Sequence, residues 1–194
     1  MKSTVKKNYG SCFVACGLWL FVSNLSFLPV LALKRESLCS QQDLELITTN
    51  LLHDLPSYAN RATQRARRLT RRGDTFSYML AAGRPEFNPL PLNPSITSDI
   101  RNTLSEGVEQ IFFTTLERQY IAKQAVELQQ FHWLLLTNTS DGWRKVMMFT
   151  QTGTFPVTKQ APSPPRDSSD GAVAQAIDTW LRDCQAGSIR RRVP

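Results

Sequence analysis

The twelve residues from Arg61 to Arg72 hold six arginines and no acid. Arg61, Arg65, Arg68 and Arg72 follow one another at intervals of four, three and four. A helix would therefore set them in one stripe, with Arg67 and Arg71 as a second pair beside it. Like charges at this spacing repel by roughly a few tenths of a kcal/mol per pair. Solvent, packing of the intervening alanines or an anionic partner must offset that. The planar guanidinium fork suits phosphate, sulfate or carboxylate better than a lysine ammonium does. Two readings follow: an anion- or partner-binding site at Arg61, Arg65, Arg67, Arg68, Arg71 and Arg72, or a solvated face paired internally with Glu106, Glu109, Glu117 and Glu127.

Two carboxylates and one imidazole are the candidates for catalysis. Glu117 and Glu127 fall on neighbouring expected strands, and carboxylates about 5 Å apart serve glycoside hydrolysis. Arg118, Arg144 and Lys145 lie near them in the sequence, so a salt-bridge ladder accounts for the same acids. His132 stands in Phe131-His132-Trp133-Leu134-Leu135-Leu136. As a general base it would need a nucleophile within reach, and none is identifiable; a histidine on an apolar strand face is ordinarily a satisfied structural residue. Gly-x-Ser-x-Gly, His-Glu-x-x-His, the P-loop and Gly-x-Gly-x-x-Gly patterns are absent. His53 and His132 have no metal-ligand spacing with a cysteine, so neither a metal nor another cofactor is expected.

The compartment narrows the partners. Lys2, Lys6 and Lys7 precede an apolar stretch from Cys12 to about Leu31, and Val30-Leu31-Ala32 fits the small-residue rule before a cleavage site. Residues 1–32 therefore read as an export signal, with a membrane anchor over residues 12–33 as the alternative. Removing them lowers the formal net charge from +7 to +4, since three lysines and no acid leave. Export favours anionic lipid, polysaccharide or an acidic protein surface as partner. It disfavours nucleic acid, as does the lack of aromatics within the arginine run. Cys12 and Cys16 would leave with the signal. Cys39 and Cys184 remain, and in an exported protein they suggest a disulfide closing a loop of about 145 residues; two buried thiols are the alternative.

The elements that must position these residues follow from periodicity. With 41% hydrophobic and 20% charged residues in 194, the chain has the composition of a globular protein, which excludes a disordered, fibrous or multi-span class. Ser40 is the expected N-cap of a first helix whose apolar face is Leu44, Ile47, Leu51 and Leu55. Pro56 should end or kink it. A second helical stretch, Ser57 to Arg72, carries the arginines, with Tyr58, Ala62, Ala66 and Leu69 as its apolar stripe. Strands are expected at Thr75–Ala82, Gln110–Ala122, Ala125–Thr137 and Trp143–Gln151, the last two joined by a turn at Asp141-Gly142. Proline-rich connectors cover 84–94 and 158–170. Asp170 can cap a final helix from Gly171 to Cys184, and a basic tail occupies 188–194.

The order implies one α+β domain over residues 33–187: an antiparallel meander of three or four strands, with N-terminal helices kinked at Pro56 and a C-terminal helix packed on it. Both faces of the Phe131–Leu136 strand are apolar, so either helices cover both or a second subunit covers one, and a homodimer through the sheet face is a fair expectation.

Leu116-Glu117-Arg118-Gln119-Tyr120, Phe131-His132-Trp133-Leu134-Leu135-Leu136 and Trp180-Leu181-Arg182-Asp183-Cys184 resemble stretches of a family of exported cyanobacterial proteins. The resemblance covers most of the chain beyond the signal. It implies a bacterial periplasm or thylakoid lumen, and no activity, cofactor or catalytic residue. The leading expectation is a non-enzymatic exported domain binding an anionic surface or protein through the arginine helix. A cell-envelope hydrolase using Glu117, Glu127 or His132 is the alternative, and a structural subunit of an envelope or thylakoid complex is a third.

Overall fold

The structure is a computed structural model that describes residues 43–70, 75–88, 90, 107–121, 124–156 and 161–189. The export segment, Cys39, Ser40, Arg71, Arg72, Glu106, residues 89 and 91–94 of the first connector and the Arg190–Arg192 tail lie outside the described residues.

The first helix, α1, runs without a break over Leu44–Thr70, with Pro56 inside it. This corrects the expectation of two helices parted at Pro56. A proline inside a helix costs about 3 kcal/mol relative to alanine. Here Ile47, Leu51, Leu55, Ala59 and Ala62 are all buried on one side, and burial worth about 1.5–3 kcal/mol for each large aliphatic side chain outweighs the lost hydrogen bond. The cap also differs: Asp43 precedes the helix and its Oδ1 accepts from the Leu46 N–H at 3.2 Å.

Five strands follow in simple up-and-down order: β1 (Thr75–Ala82), β2 (Val108–Ile121), β3 (Gln124–Thr139), β4 (Gly142–Phe155) and β5 (Arg166–Asp167). Every pair is antiparallel. The strand expected over 75–82 thus joins the meander, and β5 adds a short fifth. The β3–β4 hairpin closes as Asp-Gly predicts, with Gly142 at φ 109°, a conformation that side chains other than glycine's rarely adopt. The chain after β1 stays beside β2 despite its prolines: Glu86 and Phe112 exchange backbone hydrogen bonds of 2.7 and 2.8 Å. Gly83 lies so close to β2 that a Cβ there would meet the Thr114 hydroxyl at 2.7 Å.

The last helix, α2, spans Ala172–Gln185. Its cap is Gly171, without a side-chain hydrogen bond. The expected cap, Asp170, instead offers its backbone carbonyl to the Gln175 amide. At the other end Gly187, at φ 71°, donates to the Cys184 carbonyl and Ser188 to the Asp183 carbonyl, which closes the helix with a left-handed residue.

Both helices lie on one face of the sheet. The core joins Ile47, Leu51 and Leu55 of α1 with Ile177, Trp180 and Leu181 of α2 over Ile111, Phe113, Leu134, Leu136 and Met148. Polar contacts fix the helices to each other: the Trp180 indole donates to Asp54 at 3.1 Å and the Tyr58 hydroxyl to Asp183 at 3.0 Å. Asn60 ties α1 to the edge strand, donating to the Met79 carbonyl and accepting from its N–H. No described helix is long and apolar enough to cross a membrane.

Candidate functional site

On α1 the apolar stripe stops short of the expected Ala66, which is exposed. Ala59 and Ala62 face the core, whereas Arg61, Arg65, Arg67 and Arg68 are exposed. Arg61 covers the Tyr58 ring at 4.3 Å from its centroid, a cation–π contact that positions it along the helix. Arg65 and Arg68 make no ion pair among the described residues. Arg67 and Arg68 fall in the last turn, where positive charge meets the negative end of the helix dipole and offsets part of the mutual repulsion.

Two of the four acids proposed to neutralise this stripe, Glu117 and Glu127, are engaged elsewhere. Glu127 accepts from Arg118, whose Nε approaches Oε1 at 3.1 Å, and whose Nη2 binds the same oxygen. Arg118 also donates to the Tyr78 hydroxyl, and the Glu127 and Tyr78 bonds raise its already high pKa further. The Tyr78 hydroxyl is lowered by a hydrogen bond with Tyr120, then by Arg118. Glu117 accepts from the Ser77 hydroxyl at 3.2 Å.

Glu117 and Glu127 do not converge. The register pairs Glu117 with Leu128 and Arg118 with Glu127, so the two carboxylates point from opposite faces of the sheet. Glu117 looks toward the helices. There burial pushes its carboxyl above the usual range, partly countered by Ser77.

His132 is on the helix-covered face and has no exposed surface. It stacks on Phe113 with centroids 4.8 Å apart. Nε2 meets the Thr115 hydroxyl at 3.0 Å and Nδ1 the Thr150 hydroxyl at 2.9 Å. Thr150 continues to Ser168 at 2.7 Å, and Ser168 donates to the Met148 carbonyl. That carbonyl only accepts, and it sets the direction of the chain: Ser168 donates to it, Thr150 to Ser168, and His132 Nδ1–H to Thr150, leaving Nε2 to accept from Thr115. Burial lowers the imidazole pKa to about 3. His132 is thus a neutral, satisfied core group that braces β2, β3, β4 and the Ser168 turn.

Beyond His132 the same sheet face turns polar and opens into a cleft of about 460 Å³. Ala59 and Thr63 of α1 line one side, and Gly171, Ala172 and Val173 at the start of α2 another. Glu117, Gln119 and Gln130 form the floor toward β1, and Thr152 and Arg166 the rim toward β5. Asp167, beside Arg166, is held below the usual carboxylate range by the Ser169 hydroxyl, then by the Ser169 N–H. This cleft was not among the expected sites. Its signal was legible on β2, where Ile111 and Phe113 on the inward positions give way to Thr115, Glu117 and Gln119.

The opposite face bears no helix among the described elements. Phe112 packs edge-on against Trp133 at 5.2 Å and stacks with Phe131 at 6.5 Å. The Trp133 indole N–H is buried without a partner among the described residues. Cys184 is fully buried; Cys39, its expected disulfide partner, lies outside the described residues. Among the described residues no cluster of three His, Cys, Asp or Glu could hold a metal ion.

Compared with known proteins, the chain matches no family model, no curated protein and no solved structure.

Proposed function

We propose that the chain is a non-enzymatic exported domain that binds an anionic lipid surface through the outward arginines of α1. The observation that carries this reading is the exposure of Arg61, Arg65, Arg67 and Arg68 on a helix whose inner side is held in the core as far as Ala62. Glu117 and Glu127, which would have neutralised the stripe, are taken by Ser77 and Arg118. A rigid helix presenting guanidinium groups on one side can meet many phosphates at once. Each basic residue close to an anionic membrane contributes about 1 kcal/mol.

Co-sedimentation of the full chain with phosphatidylglycerol-containing and pure phosphatidylcholine vesicles tests the proposal. Binding to the former alone supports it. Equal binding to both, or to neither, contradicts it, and retention on an acidic polysaccharide or acidic protein with no vesicle binding would move the site to a different partner.

A second reading has an observation of its own. The sheet face away from the helices leaves Met147 and Phe155 exposed, which favours a subunit role or a homodimer through that face. The hydrolase alternative loses its paired carboxylates to the strand register and its general base to burial.

A further inference from the structure

We propose that the cleft between α1, the start of α2 and the polar end of the sheet binds a neutral, hydroxyl-rich small molecule of the size of a mono- or disaccharide, held by Glu117, Gln119 and Gln130. This site is separate from the arginine stripe, and the two stand or fall independently.

Size comes first. Small-molecule sites occupy about 300–1,000 Å³, and this cleft has about 460 Å³. Its apolar contribution comes from Met79 and Met148, both nearly buried, whose thioethers adapt to irregular ligand shapes.

Chemistry selects the class. Gln119, Gln130, Thr63 and Thr152 line the cleft with side chains that make no hydrogen bond among the described residues. Glu117 uses one oxygen, for Ser77, and leaves the other unused. Carboxamides and hydroxyls each both donate and accept. A ligand that satisfies them must do the same, and a hydroxyl does. An ammonium only donates, so the amide N–H groups would stay unmatched. A carboxylate or phosphate only accepts, and it would face the Glu117 carboxyl.

Electrostatics agrees. Neighbouring Arg118 is on the other face with Glu127; on the helix-covered side Lys145 is paired with Asp178, and Arg166 stands at the cleft rim beside Asp167, so the rim charges offset each other. Burial already disfavours the charged carboxyl, and a neutral ligand adds no further charge to desolvate. Protonated, Glu117 donates to a ligand oxygen; ionised, it accepts from a vicinal pair of hydroxyls.

Saturation-transfer NMR on the full chain tests this with maltose, cellobiose and N-acetylglucosamine, against glucosamine and glucuronate as charged counterparts of similar size. Transfer to at least one neutral sugar, stronger than to either charged one, is expected. Gln119→Ala and Gln130→Ala should each weaken binding several-fold, the effect of losing a hydrogen bond. Arg65→Gln should leave it unchanged. Thr152→Val keeps the side-chain volume while removing the hydroxyl, and should weaken binding even where an alanine variant fails to fold. Transfer to no neutral sugar, transfer equal for the charged ones, or binding indifferent to Thr152→Val and the glutamine variants would overturn the proposal.

Discussion

Between Ile47 and Leu55, α1 buries its aliphatic side chains and packs against α2 and the apolar part of the sheet. Between Ala59 and Arg68 only Ala59 and Ala62 are buried, Thr63 borders a polar cleft, and four arginines face solvent. The sheet beneath changes in step, from Ile111, Phe113, Leu134 and Leu136 to Glu117, Gln119 and Gln130. One helix therefore anchors the fold with its first half and offers its second half to ligands. Small alanines let the second half lie close to β1 without spending its outer surface on packing.

The sharpest way to break this comparison is to truncate the buried half. Leu51→Ala, at a position with no exposure, should destabilise the protein by about 2–5 kcal/mol in urea or guanidinium titrations. An equal loss from Arg65→Gln would erase the distinction between the halves.

Next comes His132, at the boundary between the apolar and polar parts of the face. Its native pKa of about 3 lies well below the ordinary 6.5. The unfolded chain then binds the proton that the native state refuses, so stability falls as the pH drops from about 6.5 toward 3. His132→Gln should flatten that limb of the stability profile, whatever it does to stability at neutral pH. An unchanged limb would mean that other groups carry the acid sensitivity.

Tyr58 sits where the two halves meet. Tyr58→Phe removes the hydrogen bond to Asp183 and should cost about 0.5–1.5 kcal/mol, by the same titrations. Burial, then Asp183, raises the tyrosine pKa, so the native hydroxyl keeps its proton and its donor role at neutral pH.

Glu117 gives a smaller effect of opposite sign to that of His132. Its folded pKa is raised above 4.5, so the native state holds the proton longer than the unfolded chain. Stability falls as the pH rises through the window just above 4.5. Glu117→Gln should abolish that fall, leaving the His132 limb in place. At the small end, Arg65→Gln should change stability by no more than about 0.5 kcal/mol, as exposed substitutions usually do.

Much of the fold was legible in local patterns. The strand expected at Thr75–Ala82 has those ends in the structure, and Asp141-Gly142 marked the β3–β4 hairpin. Three features escaped because they depend on tertiary contacts. Pro56 stays helical because the residues around it are buried. The two-residue β5 is held by the turn that follows it, where Ser168 donates to the Met148 carbonyl, and no sequence period could reveal it. The opposition of Glu117 and Glu127 rests on register: Ile121 pairs with Gln124, which sets Glu127 against Arg118, and a one-residue slip would have brought both acids to one face. The arginine stripe was visible from spacing alone, whereas the cleft needed Thr63, Glu117 and Gln130, on three separate elements, to be brought together.

Vesicle affinity across a salt series, compared between the full chain and its Arg61→Gln/Arg65→Gln/Arg68→Gln variant, tests the central claim most directly. At about 1 kcal/mol per arginine, the variant should bind phosphatidylglycerol-containing vesicles on the order of a hundredfold more weakly. Binding of the unaltered chain should fade as salt shortens the Debye length toward about 3 Å at 1 M. Vesicle binding that is indifferent to salt and undiminished in a stably folded triple variant would contradict the assignment of these arginines as the contact surface.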